Sequence, residues 1–299
     1  MAAEDYEIHD ERFLACIRRN AQVERLYTGC RWAEGPAWFP AHRSLVWSDI
    51  PNDRMLRFDE ASGAVGVFRQ PCGHANGATV DRQGRLISCE HSGRRVSRTE
   101  HDGSITVLAD RFEGKRFNSP NDVVVKSDGS IWFTDPSYGI DSDYEGVKAP
   151  SEIGGCHVYR IDPESGVVRR VLEGFAMPNG LAFSPDERRL YVSDTGQTQG
   201  VIRAFDVAAD GGLSSGEVLM QVENAHYDGF RLDDEGRIWT SAGKAVHCYA
   251  PEGALLGAVR VPEPVANVVF GGARRNRLFI TATTSLYAVL LPVNGAKTF

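Results

Sequence analysis

Short stretches of apolar, β-branched and aromatic residues recur along the whole chain, and each is followed across a polar turn by a similar stretch. Residues 123–125, for example, precede a turn containing Asp and Gly and then the apolar residues 131–133. Such pairs, with alternating apolar positions around them, are typical of half-buried strands joined as antiparallel hairpins. The pattern therefore predicts an all-β chain without long helices.

The hairpin pattern repeats at nearly regular intervals. The six copies begin at Glu34, Asn76, Asn121, Asn179, Asp228 and Asn267. Successive copies start 42, 45, 58, 49 and 39 residues apart, which is about the length of a four-stranded propeller blade. We therefore predict a six-bladed β-propeller with four-stranded antiparallel blades.

One propeller accounts for nearly the whole chain, so we expect a single domain over residues 1–299 with an N-terminal extension over residues 1–22. Residues 11–20 are expected to form a short helix. Residues 23–27 are expected to add a strand to the last blade, which would close the ring and remove its open edges. The long third interval contains a loop over residues 139–153, which is expected to cross one face of the disc.

Composition and charge narrow the possible functions. The 33 Lys and Arg against 40 Asp and Glu give a net charge of −7, which argues against a nucleic-acid partner. No apolar run approaches the roughly 20 residues of a membrane span, and the N-terminus is acidic where a secretory signal would be basic. The six scattered cysteines are expected to be free thiols. We expect a cytoplasmic protein without a membrane partner; the sequence carries no signal for its oligomeric state.

The residue that opens the first strand of each repeat is acidic or an amide. These six ring residues are Glu34, Asn76, Asn121, Asn179, Asp228 and, one position out of register, Asn267. In a propeller the first strands line the central channel, so the ring residues are expected to converge at one end of the axis. Carboxylate and amide oxygens suit a hard divalent cation. The alternative is that Asn-Gly and Asp-Gly only form turns, although Glu34 has no such preference.

Seven short motifs occur in a fixed order between residues 31 and 290. They are Ala33-Glu34-Gly35-Pro36, Ala75-Asn76-Gly77, Ser119-Pro120-Asn121-Asp122, Phe133-Thr134-Asp135-Pro136, Met177-Pro178-Asn179-Gly180, Tyr227-Asp228-Gly229 and Phe270-Gly271-Gly272. In this order they resemble the gluconolactonase and senescence-marker-protein-30 family, and within it the bacterial gluconolactonases. The resemblance implies one divalent metal ion on the propeller axis, held by Glu34, Asn121, Asn179 and Asp228. Asn121 is a ligand in some relatives and a water or substrate contact in others.

The resemblance also implies a function, a metal-dependent hydrolase that opens a sugar-acid lactone. Members differ in whether Ca²⁺, Zn²⁺, Mg²⁺ or Mn²⁺ supports activity, and all-oxygen ligands favour Ca²⁺. A bound ion would polarise the lactone carbonyl. Asp228 is the candidate catalytic residue, because a carboxylate at the metal's edge could accept the proton of the attacking water. It could equally be a ligand only.

Polar side chains near the second and third repeats could bind the lactone. The candidates are His74, Asn76, His91, Asn121 and Asp135. Two other functions remain open. An organophosphatase-like or paraoxonase-like hydrolase would use the same site with a pocket walled by Trp, Phe and Leu. A non-catalytic propeller scaffold would use the ion only to hold the blades together.

Overall fold

Six antiparallel sheets of four main strands surround a central channel in the computed structural model, which describes residues 5–18, 20–196, 200–223 and 225–297. The first strands of neighbouring blades contact one another around the channel, and later strands lie progressively further out. This arrangement confirms the predicted six-bladed β-propeller.

The blades follow one another in chain order. The first three are β3 Ala33–Phe39, β4 Ser44–Asp49, β5 Arg54–Asp59 and β6 Val65–Arg69; β7 Ala75–Val80, β8 Leu86–Glu90, β9 Arg95–Thr99 and β10 Ile105–Ala109; and β13 Val123–Val125, β14 Ile131–Asp135, β15 Cys156–Ile161 and β16 Val168–Phe175. The fourth and fifth are β17 Pro178–Phe183, β18 Arg189–Asp194, β19 Gly200–Asp206 and β20 Glu217–Val222; and β21 Phe230–Leu232, β22 Ile238–Ala242, β23 Ala245–Tyr249 and β24 Leu255–Arg260.

The sixth blade is completed by a strand from the N-terminal region. Its members are β25 Val265–Gly271, β26 Arg277–Ala282, β27 Ser285–Leu290 and β2 Glu24–Thr28. Strand β2 pairs antiparallel with β27, from Glu24 opposite Ala288 to Thr28 opposite Ser285. The predicted closing strand is therefore confirmed, one residue later than expected. Because the pairing joins the two ends of the propeller, the ring is closed by main-chain hydrogen bonds.

The N-terminal residues also lengthen the fifth blade, which the sequence pattern did not predict. Strand β1 Tyr6–Ile8 pairs antiparallel with β24 as a fifth strand. The helix expected over residues 11–20 is wrong in type and length, because residues Glu11–Ala15 form one short 3-10 helix. It ends where the Cys16 N–H turns back to the Phe13 carbonyl, an arrangement that buries Phe13 against Trp239. The packing of the Phe13 ring is therefore favoured over continuation of the helix.

Helices and short hairpins are confined to the connections. The remaining elements are a 3-10 helix Ile50–Asn52, the hairpin β11 Arg111–Phe112 and β12 Lys115–Arg116, and the helix α1 Tyr138–Asp141. Across the ranges that the structure describes, no helix is both long and apolar enough to cross a membrane.

Large aromatic side chains fill the wedges between neighbouring blades. Trp47, Trp132 and Trp239 lie on the second strands of blades one, three and five and are fully buried. Trp239 packs edge-on against Phe270 of the next blade, with ring centroids 6.0 Å apart. Burying such rings contributes on the order of 2–3 kcal/mol each. Bulky residues therefore separate neighbouring blades away from the axis, whereas the inner strands approach one another closely around the channel.

Glycines allow the inner strands to meet around the channel. The Gly77 N–H donates to the Asn121 carbonyl at 2.7 Å, and the Gly229 N–H donates to the Ala266 carbonyl at 2.8 Å, in each case across to the next blade. A Cβ atom on Gly229 would lie 1.9 Å from Cγ of Asn267. No larger residue fits there without moving the neighbouring blade.

We therefore predict that Gly229→Ala destabilises the propeller by about 2 kcal/mol or more, because the added methyl group overpacks the channel wall. Gly66→Ala is the matched control, because a Cβ atom on Gly66 would meet nothing within 4 Å and the residue lies on an outer strand. That control should stay within about 0.5 kcal/mol of the wild type in urea unfolding. Equal losses in the two variants would contradict the close approach of the inner strands.

Candidate active site

The six ring residues lie near the start of their inner strands, at one end of the channel. All are buried except Asp228, which is half-buried. Asp228 is thus enclosed by the channel wall and still accessible to water from the mouth. Its side chain hydrogen-bonds to that of Asn179, and Glu34 is close enough for their charges to interact. The structure therefore brings these three candidate ligands together, and Asn121 is buried just before the inner strand of the third blade.

Two carboxylates, Glu34 and Asp228, face the same space without a compensating cation. Burial, followed by the charge of Asp228, raises the pKa of Glu34 well above its ordinary value. Burial also raises the pKa of Asp228, with further contributions from the charges of Glu145 and Asp122. Among the described residues, neither carboxylate has an ion-pair partner. A cation bound between them would offset this repulsion.

The donor set around these carboxylates fits a hard divalent ion only if the amides take part. Nowhere in the described ranges do three His, Cys, Asp or Glu side chains gather closely enough to hold an ion by themselves. Glu34 and Asp228 supply two charges, and Asn179 and Asn121 supply neutral oxygens in the same region. Carboxylate and amide oxygens without thiols are the set that Ca²⁺ prefers.

A second polar layer lies directly behind the ring. Asp122 and Asn267 take the position that is glycine in the other four blades, so their side chains occupy the channel instead. Asp122 Oδ2 lies 3.5 Å from Nη1 of Arg231, and Asn267 Nδ2 donates to Oε2 of Glu34 at 3.2 Å. This explains why Asn267 is out of register in the sequence. Ala266 occupies the ring position of the sixth blade, and Asn267 belongs to the layer behind it.

An apolar cavity of about 370 Å³ occupies the opposite end of the channel. Its walls are the later residues of the inner strands, including Trp38, Val124, Phe183 and Phe270, and Arg231 reaches its inner end. None of the six ring residues lines it. The layer of Asp122, Arg231 and Asn267 lies between this cavity and the carboxylates, so the cavity is not the site described above.

His91 holds Asn76 in one orientation. The ring is fully buried, with Nδ1 3.0 Å from the Glu145 carbonyl oxygen and Nε2 3.3 Å from Nδ2 of Asn76. A carbonyl oxygen can only accept, so Nδ1 must carry the hydrogen and Nε2 must accept from the Asn76 amide. Burial lowers the pKa of His91 to about 4, which favours this neutral form. The Oδ1 atom of Asn76 is left to accept from a ligand.

The two remaining predicted substrate contacts, His74 and Asp135, differ in burial and in hydrogen-bond partners. His74 is half-buried beside the mouth, with Nδ1 3.1 Å from Oγ of Ser92, and remains a candidate substrate contact. Asp135 is fully buried, and its two carboxylate oxygens accept from the N–H groups of Asn118 and Ser119 at 2.9 and 2.8 Å. The expectation that Asp135 binds substrate stays a prediction. Through these bonds Asp135 stabilises the turn that leads into Asn121.

Two residues outside the predicted set of substrate contacts complete the mouth. The Tyr138 hydroxyl, on α1, hydrogen-bonds to Thr195 Oγ1 and to the side chain of Asn179. Glu145 lies in the loop after α1, close enough to contribute to the raised pKa of Asp228. The sequence signal for Glu145 was the long third interval, because a loop has no periodicity from which its path can be derived. Tyr138 and Glu145 therefore add polar groups to the mouth.

The family model described as the SMP-30/Gluconolactonase/LRE-like region matches residues 32–284, which include all six ring residues. The chain belongs to this family. The resemblance found in the seven sequence motifs is thereby confirmed.

Relatives in the SMP-30/Gluconolactonase/LRE-like family match over most of their length. A gluconolactonase of Zymomonas mobilis is 29% identical, covering 93% of this chain and 83% of the relative. The pentonolactonase XacC of Haloferax volcanii is 31% identical, covering 85% and 82%. The solved structure of a gluconolactonase from Xanthomonas campestris is 39% identical and superimposes with a TM-score of 0.91, covering 96% of this chain and 95% of that one.

In this family member the buried His91 gives a pH-dependent prediction. Its pKa is about 4 in the folded protein and 6.5 for an unperturbed histidine. The unfolded chain therefore binds the extra proton first, and stability is lost as the pH falls from about 6.5 to about 4. In urea titrations, the wild type should lose up to about 3 kcal/mol relative to His91→Gln over this range. A constant difference between the two proteins would contradict a neutral, buried His91.

Proposed function

We propose that this protein is a lactonase that hydrolyses a sugar-acid lactone with one bound divalent metal ion. The observation that carries the proposal is the pair Glu34 and Asp228, which face one space beside Asn179 without a cationic side chain. The relatives named above as gluconolactonase and pentonolactonase support a sugar-acid lactone as the substrate. A 6-deoxy-6-sulfogluconolactonase of Pseudomonas putida at 27% identity supports the reaction class only, because its name indicates a lactone with an added charge.

Glu34, Asn179 and Asp228 would hold the ion, with Asn121 as a further ligand or a water contact. When bound, the ion supplies a Lewis acid for the lactone carbonyl oxygen. We favour Ca²⁺ because every donor is an oxygen, while Mg²⁺, Mn²⁺ and Zn²⁺ are outcomes of the test below.

The side chains around the ion site accept a proton, orient Asp228 and bind the sugar. Asp228 accepts the proton of the attacking water at a carboxylate oxygen, which the channel mouth leaves accessible. Asn179 orients that carboxylate through the hydrogen bond between their side chains, and Tyr138 holds Asn179 from the other side. Oδ1 of Asn76 and the ring of His74 are placed to bind hydroxyl groups of the sugar.

The polarity of the mouth favours a sugar lactone over an apolar lactone or a phosphotriester. Asn179 and Glu145 interact with Asp228, and Tyr138 hydrogen-bonds to Asn179, whereas the apolar cavity lies at the opposite end of the channel. A polyhydroxylated ring can satisfy such polar groups when it displaces their water, and a hydrocarbon cannot. The non-catalytic scaffold differs from both hydrolase functions because it predicts no hydrolysis.

The experiment is a proton-release assay on metal-stripped protein with glucono-1,5-lactone, in which Ca²⁺, Mg²⁺, Mn²⁺ and Zn²⁺ are added back separately. We expect turnover above the spontaneous rate with at least one ion. Asp228→Asn should remain folded and lose on the order of 10²-fold or more of kcat, because the proton acceptor is removed. No turnover by the wild type with any ion would reject the proposal, and full turnover by Asp228→Asn would reject the role of Asp228.

Glu34 can be tested without measuring turnover. Glu34→Gln removes one of two ligand charges, so we expect about tenfold or weaker Ca²⁺ binding by calorimetry and a smaller rise in Tm on adding Ca²⁺. Glu113→Gln, which removes a charge from the exposed loop between β11 and β12, is the control and should bind Ca²⁺ as the wild type does. Equal affinity in Glu34→Gln would exclude Glu34 as a ligand.

A further inference from the structure

The loop after α1 forms a strap across the mouth of the channel, which we define as residues 142–150. It is fixed to α1 by main-chain bonds, from Val147 N–H to the Gly139 carbonyl and from Ala149 N–H to the Ile140 carbonyl, both 3.0 Å long. A Cβ atom on Gly146 would lie 2.1 Å from the Gly139 oxygen, so the two backbones are in direct contact. The strap therefore has a defined path.

The strap starts in the third blade and reaches residues of two other blades. The Glu145 carbonyl accepts from His91, which follows the second strand of the second blade. The Tyr144 ring lies 5.1 Å from Cζ of Arg31, which precedes the first blade. These contacts at Tyr144 and Glu145, together with the effect of the Glu145 charge on Asp228, place Glu145 at the channel mouth.

The carboxylate of Glu145 is unpaired in this position. It is half-buried although it lies on a loop, and within the described residues it makes no hydrogen bond or ion pair. Its charge reaches Asp228, whose pKa it helps to raise. An enclosed carboxylate without a donor is costly, so a ligand that brings donors would be favoured there.

No nearby cation is paired with Glu145 in the part of the chain that the structure describes. Arg231 pairs with Asp122 behind the ring, and Arg69 and Arg95 both pair with Glu90. Arg31 is exposed and stacks on the Tyr144 ring. None of these groups forms an ion pair with Glu145 within the described ranges. Glu145 therefore presents an unpaired negative charge to an incoming molecule.

We propose that Glu145 contacts the substrate and restricts the site to neutral, polyhydroxylated lactones, an inference that rests on the lactonase function proposed above. Sugar hydroxyl groups donate hydrogen bonds to the Glu145 carboxylate and supply the donors that it lacks. A lactone with a phosphate, carboxylate or sulfonate group brings a second negative charge into the same enclosed space and is repelled. The Glu145 carboxylate thus selects the substrate both by hydrogen bonding to hydroxyl groups and by repelling anionic groups.

The test compares glucono-1,5-lactone with its 6-phosphate ester, which share one ring and differ in charge. Specificity, kcat/KM, is measured for the Ca²⁺-loaded wild type, Glu145→Gln and Asp141→Asn. The Gln variant keeps the shape of the side chain and removes its charge. Asp141→Asn removes an equal charge from the exposed end of α1. Ca²⁺ affinity is measured by calorimetry for each protein.

We expect the wild type to prefer the neutral lactone, and the preference to fall at least about tenfold in Glu145→Gln while staying within about twofold in Asp141→Asn. Raising the salt concentration to about 0.5 M should reduce the preference in the wild type and leave Glu145→Gln unchanged. Ca²⁺ affinity should fall by well under about tenfold in Glu145→Gln, because only a nearby charge is lost, and should stay the same in Asp141→Asn.

Three results would overturn the inference. An unchanged preference in Glu145→Gln, or an equal change in Asp141→Asn, would remove the specific role of Glu145 while leaving the lactonase function intact. A loss of Ca²⁺ affinity of about tenfold in Glu145→Gln would make Glu145 an ion ligand instead. A wild type that opens neither lactone would reject the proposed function, and the inference with it.

Discussion

The close approach of six inner strands around one axis is the constraint on which the structure depends. The bulky side chains between the blades can be accommodated only if the strands taper to backbone contact at the centre. Glycine provides that contact in four blades, as at Gly77 and Gly229, whose N–H groups bond to the neighbouring blade. The two blades that lack glycine place Asp122 and Asn267 in the channel instead. The same constraint that closes the fold therefore decides where a polar side chain can enter the channel.

Convergence of the strands also explains the unusual electrostatics. Glu34 and Asp228 begin inner strands of different blades, and the taper brings their charges together away from bulk water. Behind them, Asp122 pairs with Arg231, so this second layer is close to neutral. The uncompensated charge is thus concentrated at the mouth. A folded chain that bears this repulsion gains stability from any cation that binds the folded state alone, which couples ion binding to the integrity of the ring.

Periodicity and spacing in the sequence predicted the number of blades and the residues that meet near the axis. Turn chemistry at regular intervals gave six blades, and the residue after each turn identified Glu34, Asn179 and Asp228 as neighbours in space. Contacts between distant segments were not readable. The burial of Phe13 shortened the N-terminal helix, and two backbone N–H groups occupy the carboxylate of Asp135. Glu145 was missed for the same reason, because its position depends on the path of a loop.

The strap and the ring are connected through one neutral imidazole. His91 donates to the strap at the Glu145 carbonyl and accepts from Asn76 in the channel wall, and only one neutral tautomer can do both. A protonated ring would present N–H to both neighbours, so Asn76 could then bond to it only through Oδ1 and would turn its amide donor toward the channel. Burial holds the pKa of His91 near 4 and disfavours that arrangement. The position of the strap and the acceptor character of Asn76 are therefore fixed together, by a residue that touches neither candidate metal-binding carboxylate.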